Sequence, residues 1–248
     1  MKITPEPQFT PEQELLLWAI RIDHAKDLRI SGILTAGVDW THVRELAIRH
    51  GIIPLLYKRL KEEMGDLVPS DELSGLRTLF MRNAFRNIRM TQQLLTVLDL
   101  LADAGVEAIP FKGSALAVQS YGDLSMRSYC DLDILIHEND FDLVYKVLVD
   151  HGGIPRGLID SIIERKIRLI QKKDLAFSCQ NDLLEIHWKI TERLLSAPFD
   201  MEEIWNCSLP IPFNNQEIRT LSPEDMVIVL CFHGTKHAWQ ELKWLADL

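Results

Sequence analysis

The sequence is short of positive charge and of long hydrophobic runs. It holds 27 lysines and arginines against 36 aspartates and glutamates, which gives a formal net charge of −9. Proteins that coat nucleic acid or bind anionic membranes need a basic face, so this balance argues against both classes, although a local basic pocket for one nucleotide stays open. The longest apolar runs, such as residues 226–232, fall far short of a membrane span.

Cysteine is also scarce. The four cysteines are widely spaced and include no C-x-x-C pair: Cys130, Cys179, Cys207 and Cys231. This pattern is typical of reduced thiols in a cytosolic protein rather than of a disulfide framework. The first seven residues are too polar and too rich in proline for a signal peptide. We therefore expect a soluble, cytoplasmic protein that does not bind membranes.

The first hundred residues carry a helical pattern. Thr10 followed by Pro11 is typical of a helix start, and apolar residues recur at helical spacing from there to about Ala104. We see no β signal before Gly105. Further helices are predicted at 41–50, 54–65 and 70–104, and the last of them offers six apolar residues for burial: Leu76, Phe80, Phe85, Ile88, Leu95 and Leu98.

The pattern changes after Gly105, where short apolar and alternating runs predict strands. Strands are predicted at 106–110, 131–136, 174–179 and 183–190, and helices at 139–150, with Asn139 as the cap, and at 158–172. Residues 180–182 join the last two strands in a hairpin-type connection.

The C-terminal part is mixed. Residues 209–221 predict a small hairpin with an Asn-Asn turn, and the capping box that begins at Ser222 predicts a helix through Trp239. The chain stops at Leu248 inside another predicted helix, so we expect the natural sequence to continue. We predict a helical N-terminal region at 1–104, a core domain at 105–192 and a C-terminal hairpin with helices at 193–248.

Three carboxylates form the strongest candidate site. Asp131 and Asp133 lie two apart on a predicted strand, so they project from the same face, roughly 6.6 Å apart along the strand. Glu185 shares a face of a later strand with His187 and Lys189. If the two strands are neighbours, three like charges converge and need cations to compensate them. Oxygen ligands of this kind suit Mg²⁺ or Mn²⁺.

An isolated D-x-D pair is common on solvated strands, so the context decides its meaning. Lys112-Gly113-Ser114 follows a predicted strand and opens a small-residue helix. Backbone N–H groups and a hydroxyl at a helix start are able to hold a phosphate. The combination is far more specific for a nucleotide site than any one part. It consists of a Gly-Ser helix start, a D-x-D pair on the next strand and an acid on a later strand.

This order of motifs resembles the nucleotidyltransferases of the DNA polymerase β superfamily. The segments 111–114, 127–136 and 184–188 are most similar to the uncharacterised nucleotidyltransferase family, in which a lysine-glycine turn, an arginine followed by D-x-D, and a late acid-x-His-Trp strand recur. Glu185 stands where that family more often has aspartate. The resemblance implies an α+β fold, with a small mixed sheet and flanking helices, a helical N-terminal region and a mostly helical C-terminal region.

The resemblance also implies a mechanism, namely Mg²⁺-dependent transfer of an NMP group from an NTP by two metal ions. Asp131 and Asp133 would hold both ions, and Glu185 would help bind the ion that activates the acceptor hydroxyl. The resemblance implies that six residues bind the nucleotide: Lys112, Gly113, Ser114, Arg127, His187 and Lys189. Arg127 is equally well explained by an ion pair with Asp123, and His187 by packing beside Trp188.

Two other groups are weaker candidates. His233 and His237 have the i, i+4 spacing of zinc ligands, yet the sequence offers no clear third ligand, which favours a polar helix face or a substrate contact. Arg82, Arg86 and Arg89 lie on one helical face, and this stripe is either solvated or able to steer a polyanionic acceptor.

Two alternatives to the transferase remain open at this point. One is a relative of the same fold that binds nucleotides or proteins without turnover, and the other is a metal-dependent phosphohydrolase. The acceptor of a transferase is a small molecule, a protein or an RNA end, while the acidic composition disfavours extended nucleic acid.

Overall fold

Helices dominate the first part of the chain, as its apolar spacing predicts. The computed structural model describes residues 9–22, 27–157, 161–179, 182–191 and 200–248. Its N-terminal helices are α1 (Pro11–Ala19), α2 (Leu28–Ala36), α3 (Trp40–Arg49), α4 (Ile53–Glu63) and the long α5 (Ser70–Asp103). The side chain of Thr10 caps α1 and forms a capping box with Gln13. No described helix is both long and apolar enough to cross a membrane.

The contacts within the chain define two units. Unit 1 contains the described residues through Phe85 together with Ser125–Ser128 and His237–Leu248, and unit 2 contains the described residues of Arg86–Leu124 and Tyr129–Lys236. The core of unit 1 is a cluster of buried apolar side chains from its helices, among them Leu15, Trp18, Val43, Leu56 and Leu76. The domain boundaries expected from the sequence remain a prediction.

Two residues of α5 differ from expectation. Phe85 and Ile88 were expected to be available for burial, but 66% and 49% of their surfaces are exposed. The buried face of the second half of α5 contains Met90, Leu94 and Val97. Because each residue turns a helix by about 100°, Phe85 and Ile88 lie far from that face.

Unit 2 is built on a five-stranded mixed sheet. Its strands are β1 (Ala108–Pro110), β2 (Asp131–Ile136), β3 (Ile154–Pro155), β4 (Asp174–Cys179) and β5 (Asp182–His187). Their spatial order is β1-β2-β5-β4-β3, in which β2 and β5 are parallel and the other neighbours antiparallel. The two strands that carry the acidic motifs, β2 and β5, are therefore neighbours. Gln180 and Asn181 of the predicted connection lie outside the described residues.

Helices and a hairpin surround this sheet. They are α6 (Gly113–Tyr121), α7 (Phe141–Asp150), α8 (Ile162–Gln171), α9 (Met201–Cys207), the hairpin of β6 (Leu209–Phe213) and β7 (Gln216–Thr220), and α10 (Pro223–Lys236). A last helix, α11 (Leu242–Ala246), belongs to unit 1. The chain thus has the mixed α+β structure that was expected. Residues 158–160 of the predicted helix at 158–172 lie outside the described residues.

Two helix boundaries differ from the predicted ones. Helix α7 follows a 3₁₀ turn at Glu138–Asp140, so Asn139 lies within that turn and does not cap the helix. Helix α10 ends at Lys236 rather than Trp239. Ala238 and Trp239 have φ angles of 52° and 51°, a left-handed conformation that cannot continue a right-handed helix.

Both faces of the sheet are covered, which determines the environment of the site. Leu132, Ile134 and Ile136 project from one face of β2 into a core that also contains Leu184 and Ile186 of β5. On the opposite face, a second cluster contains Ile109, Phe111, Leu116 and Leu135. The acidic side chains share this second face, so part of the site is enclosed by apolar side chains.

Candidate active site

The centre of the site is a pair of carboxylates on neighbouring parallel strands. Asp133 of β2 and Glu185 of β5 are register partners, and His187 follows two residues later on the same face of β5. Ligand atoms of Asp133, Glu185 and His187 all lie within 4.8 Å of one another. Among the described residues this is the one group of three candidate metal ligands that converges so closely.

Asp133 is the most deeply enclosed acid of the group, with 3% of its surface exposed. Its Oδ1 atom accepts a hydrogen bond from Lys112 Nζ at 2.9 Å and lies 3.0 Å from His187 Nε2. Burial alone raises the pKa of this carboxyl, but the Lys112 ammonium and the His187 ring outweigh burial and hold it well below its ordinary value. Asp133 is therefore ionised at neutral pH.

His187 connects Asp133 to a second pair of charges. The ring is fully buried, and its Nδ1 lies 3.4 Å from Lys173 Nζ and 3.8 Å from Asp174 Oδ2. The ring therefore has Asp133 on its Nε2 side and the Lys173–Asp174 pair on its Nδ1 side. Burial raises the pKa of Asp174, but Lys173 and then His187 outweigh it and lower this pKa.

Sequence reasoning missed Lys173 and Asp174. Lys173 directly precedes β4 and Asp174 is its first residue, so their charges look like an ordinary polar boundary before an apolar strand. Only the antiparallel register of β4 and β5 places Asp174 opposite His187. The hairpin predicted at 180–182 indicates that the two strands are antiparallel, but it does not fix their register to the residue.

Asp131 lies at the start of β2, opposite Leu183. It shares the face of Asp133 because side chains two apart project in the same direction, and it is half-buried. The group of three close ligand atoms contains Asp133, Glu185 and His187 but not Asp131. The structure thus brings two of the three predicted acids together and places the third one step away along β2.

The predicted phosphate turn lies against the start of β2. Gly113 has a φ of +50°, and a Cβ atom there would lie 3.1 Å from the carbonyl oxygen of Asp131. This close approach and the left-handed backbone both favour a glycine at this position. Helix α6 has no side-chain cap. Ser114 is fully buried, and its Oγ has no hydrogen-bond partner among the described residues.

The other predicted nucleotide contacts have partners elsewhere. Arg127 belongs to unit 1, where its buried guanidinium pairs with the Asp247 carboxylate at 3.0 Å. Lys189 follows the end of β5, and its ammonium pairs with Glu138 at 3.0 Å and donates to the Leu169 carbonyl. Arg89 of the basic stripe pairs through two nitrogens with Asp182, both contacts at 2.6 Å.

The donor set of the central group fits a divalent ion. Lys112 and His187 both occupy Oδ1 of Asp133, and no described residue donates to its Oδ2. The Glu185 side chain is 29% exposed, which opens the group to solvent. Two carboxylates with a free oxygen and a route to water are the ligands that Mg²⁺ and Mn²⁺ prefer.

Comparison with solved structures finds distant likenesses. The antibiotic-resistance factor ANT(2″)-Ia is 10% identical, with 65% of this chain and 83% of that chain covered and a TM-score of 0.46. The lincomycin-bound lincosamide antibiotic adenylyltransferase LnuA is 16% identical, with 63% and 97% covered and a TM-score of 0.44. A putative nucleotidyltransferase from Thermotoga maritima is 16% identical, with 64% and 94% covered and a TM-score of 0.44. Such scores support no statement about substrate.

Comparison of the sequence itself is more informative. A search of curated proteins finds no significant match. The model of one protein family, described as uncharacterised nucleotidyltransferase, matches residues 36–248, which is well over half of the chain. This match includes the helix start at Gly113, the acids of β2 and the Glu185–Trp188 segment. The chain therefore belongs to the uncharacterised nucleotidyltransferase family.

Proposed function

We propose that the protein transfers an NMP group from an NTP to an acceptor hydroxyl, with Mg²⁺ or Mn²⁺ in the site and pyrophosphate as the second product. The observation that supports this proposal most strongly is the register pairing of Asp133 with Glu185, beside a helix start that follows directly after Lys112. In the reaction, the acceptor oxygen bonds to the α-phosphorus while the bond from this phosphorus to the oxygen bridging to the β-phosphate breaks, and the hydroxyl proton is released to solvent.

Asp131, Asp133 and Glu185 would hold the divalent ions. Bound there, the ions would supply charge neutralisation for the triphosphate and a lowered pKa for the acceptor hydroxyl. Asp133 is suited to this role because its internal hydrogen bonds keep it ionised and fix one oxygen, which leaves the other oriented for a ligand. Glu185 is suited because it is half-buried, within reach of both the cluster and solvent.

The start of α6 would bind the β- and γ-phosphates. Its uncapped N–H groups and the positive end of the helix dipole favour an anion. The Ser114 hydroxyl is a buried donor without a partner, a state that costs about 1–3 kcal/mol. A phosphate oxygen reaching this hydroxyl would remove that cost. Lys112 would add positive charge, and His187 and Lys189 remain proposed contributors to nucleotide binding.

Product analysis with two labels tests the proposed reaction. The protein is incubated with each NTP, labelled on the α- or the γ-phosphate, in a cell lysate with Mg²⁺, Mn²⁺ or EDTA. We expect the α-label to appear on an acceptor and the γ-label in pyrophosphate, in both cases only with a divalent ion. Mass analysis of the labelled acceptor then identifies it as a small molecule, a protein or an RNA end.

The same experiment separates the transferase from its alternatives. Release of inorganic phosphate without labelling of an acceptor would indicate a phosphohydrolase. Binding of the NTP without release of either product would indicate a relative that only binds nucleotides. Either result contradicts the proposed transfer.

A further inference from the structure

We propose that Lys112 is an internal counter-cation that holds Oδ1 of Asp133 and opposes a divalent ion at the carboxylate until an NTP arrives with the ion. Lys112 would therefore act as a positioning residue that couples metal binding to nucleotide binding. This inference rests on the proposed function, because it assigns Asp133 to the metal site.

The contact between the two residues is close and shielded from water. Lys112 Nζ lies 2.9 Å from Asp133 Oδ1, and the two side chains are 13% and 2% exposed. Charges in such an environment are screened far less by salt than surface charges. A divalent ion at Asp133 would thus be repelled by a neighbouring ammonium group that water screens only partly.

Helix capping does not explain why a lysine stands directly before α6. Lys112 is the N-cap residue and makes no capping hydrogen bond, whereas Ser, Thr, Asp and Asn are favoured there. A cation is also unfavourable at the positive end of a helix dipole. The attraction of the Asp133 carboxylate offsets both disadvantages.

Displacing Lys112 requires a second anion. A buried ammonium that loses its carboxylate pays a large desolvation cost unless another anion receives it. In the proposed function, the triphosphate lies at the start of α6, directly beside the Lys112 backbone. An exchange of Asp133 for a phosphate oxygen would keep Lys112 paired and would move its charge away from the carboxylate, so that the ion at Oδ2 no longer meets that repulsion. Metal without nucleotide should therefore bind weakly.

Binding of Mn²⁺ without nucleotide tests the inference, with electron paramagnetic resonance of the free ion as the readout. We compare the wild type with Lys112→Met, which removes the charge, and with Lys112→Arg, which keeps it. Lys146→Met is the matched control, because Lys146 pairs with Asp150 on the exposed surface of α7. We expect Lys112→Met to bind Mn²⁺ at least about tenfold more tightly than the wild type, while the arginine variant and the control stay within about twofold.

Several outcomes would overturn the inference. Equal or weaker Mn²⁺ binding by Lys112→Met, with a native circular dichroism spectrum, would show that the lysine does not compete with the ion. If that variant fails to fold, Lys112→Gln, which retains a donor to Asp133, must show the same tightening. If no variant binds Mn²⁺ even with a non-hydrolysable NTP, the proposed function falls as well. If only the inference about Lys112 is wrong, the wild type still binds Mn²⁺ in the presence of the NTP analogue. This outcome is therefore distinguishable from a failure of the proposed function.

Discussion

At the scale of single residues, the site depends on how a buried carboxylate stays ionised. Asp133 is almost fully enclosed, yet Lys112 and His187 both contact its Oδ1. An unpaired buried carboxylate would take up a proton instead. The same contacts stabilise the fold, because the ionised form is favoured in the folded state relative to the unfolded one.

This linkage predicts how acid changes the stability of Asp133→Asn relative to the wild type. The folded-state pKa of Asp133 is lowered from its ordinary value of 3.8. The stabilisation of the fold by the ionised carboxylate is therefore fully present above pH 3.8 and is lost as the pH falls below it. We expect the variant to be less stable by about 3 kcal/mol at neutral pH. The difference should shrink as the pH is lowered from about 4 towards 2.

Urea unfolding at a series of pH values measures this difference. Asp103→Asn is a suitable control, because Asp103 is an exposed carboxylate at the end of α5. The control should track the wild type within about 0.5 kcal/mol at every pH. A stability difference for Asp133→Asn that stays constant down to pH 2 would show that the charge of Asp133 does not stabilise the fold.

At the scale of secondary-structure elements, the meeting of α6 with β2 forms the site. Gly113 allows the first turn of α6 to approach the Asp131 carbonyl, which no larger residue permits without a shift. Because Asp131 and Asp133 belong to the same strand, a shift there would disturb the predicted metal ligands as well as the phosphate turn.

We therefore expect Gly113→Ala to destabilise the protein more than Gly105→Ala. Both glycines have a positive φ, +50° and +77°, but an added Cβ contacts nothing within 4 Å at Gly105. The control should cost roughly 1 kcal/mol for its backbone alone, and Gly113→Ala should cost clearly more. Denaturant midpoints of the two variants decide the matter, and equal midpoints would exclude the close contact.

The strands show what the sequence is able to predict. The alternating run Asp131–Ile136 was predicted with its observed boundaries because one face is apolar throughout. The strand predicted at 183–190 ends instead at His187, which pairs with Leu135 and with Asp174, the first residue of β4. The alternation of residues within 183–190 does not indicate where β5 ends, because the end of a strand depends on the strands beside it. The contact of His187 with Lys173 and Asp174 depends on the exact register of β4 and β5, which the predicted hairpin leaves open by a residue.

At the scale of the whole molecule, the chain returns to its N-terminal unit twice. Ser125–Ser128 and His237–Leu248 both belong to unit 1. Within that unit, Arg127 and Asp247 form an ion pair whose side chains are 8% and 1% exposed. The sequence predicts an exposed Arg127 or a nucleotide contact, because nothing local indicates a partner 120 residues away.

This pair gives a prediction for unit 1. Replacing Asp247 with alanine leaves a buried guanidinium without its carboxylate, which should destabilise the protein by about 3–5 kcal/mol. Asp66→Ala, at an exposed carboxylate of the same unit, should change stability by less than about 0.5 kcal/mol. Calorimetric unfolding of both variants compares them, and a mild effect of Asp247→Ala would mean that the pair contributes little.

The account as a whole depends on Asp133 acting as a metal-binding group in nucleotidyl transfer. The direct measurement is the initial rate of pyrophosphate release from the preferred NTP and acceptor with saturating Mg²⁺, for the wild type, Asp133→Asn and Asp103→Asn. Circular dichroism first establishes that all three proteins are folded at the assay temperature. We predict at least about a thousandfold loss for Asp133→Asn, comparable to the loss of a major electrostatic contribution to catalysis, and no significant loss for Asp103→Asn. A folded Asp133→Asn variant that releases pyrophosphate at the wild-type rate would contradict the account.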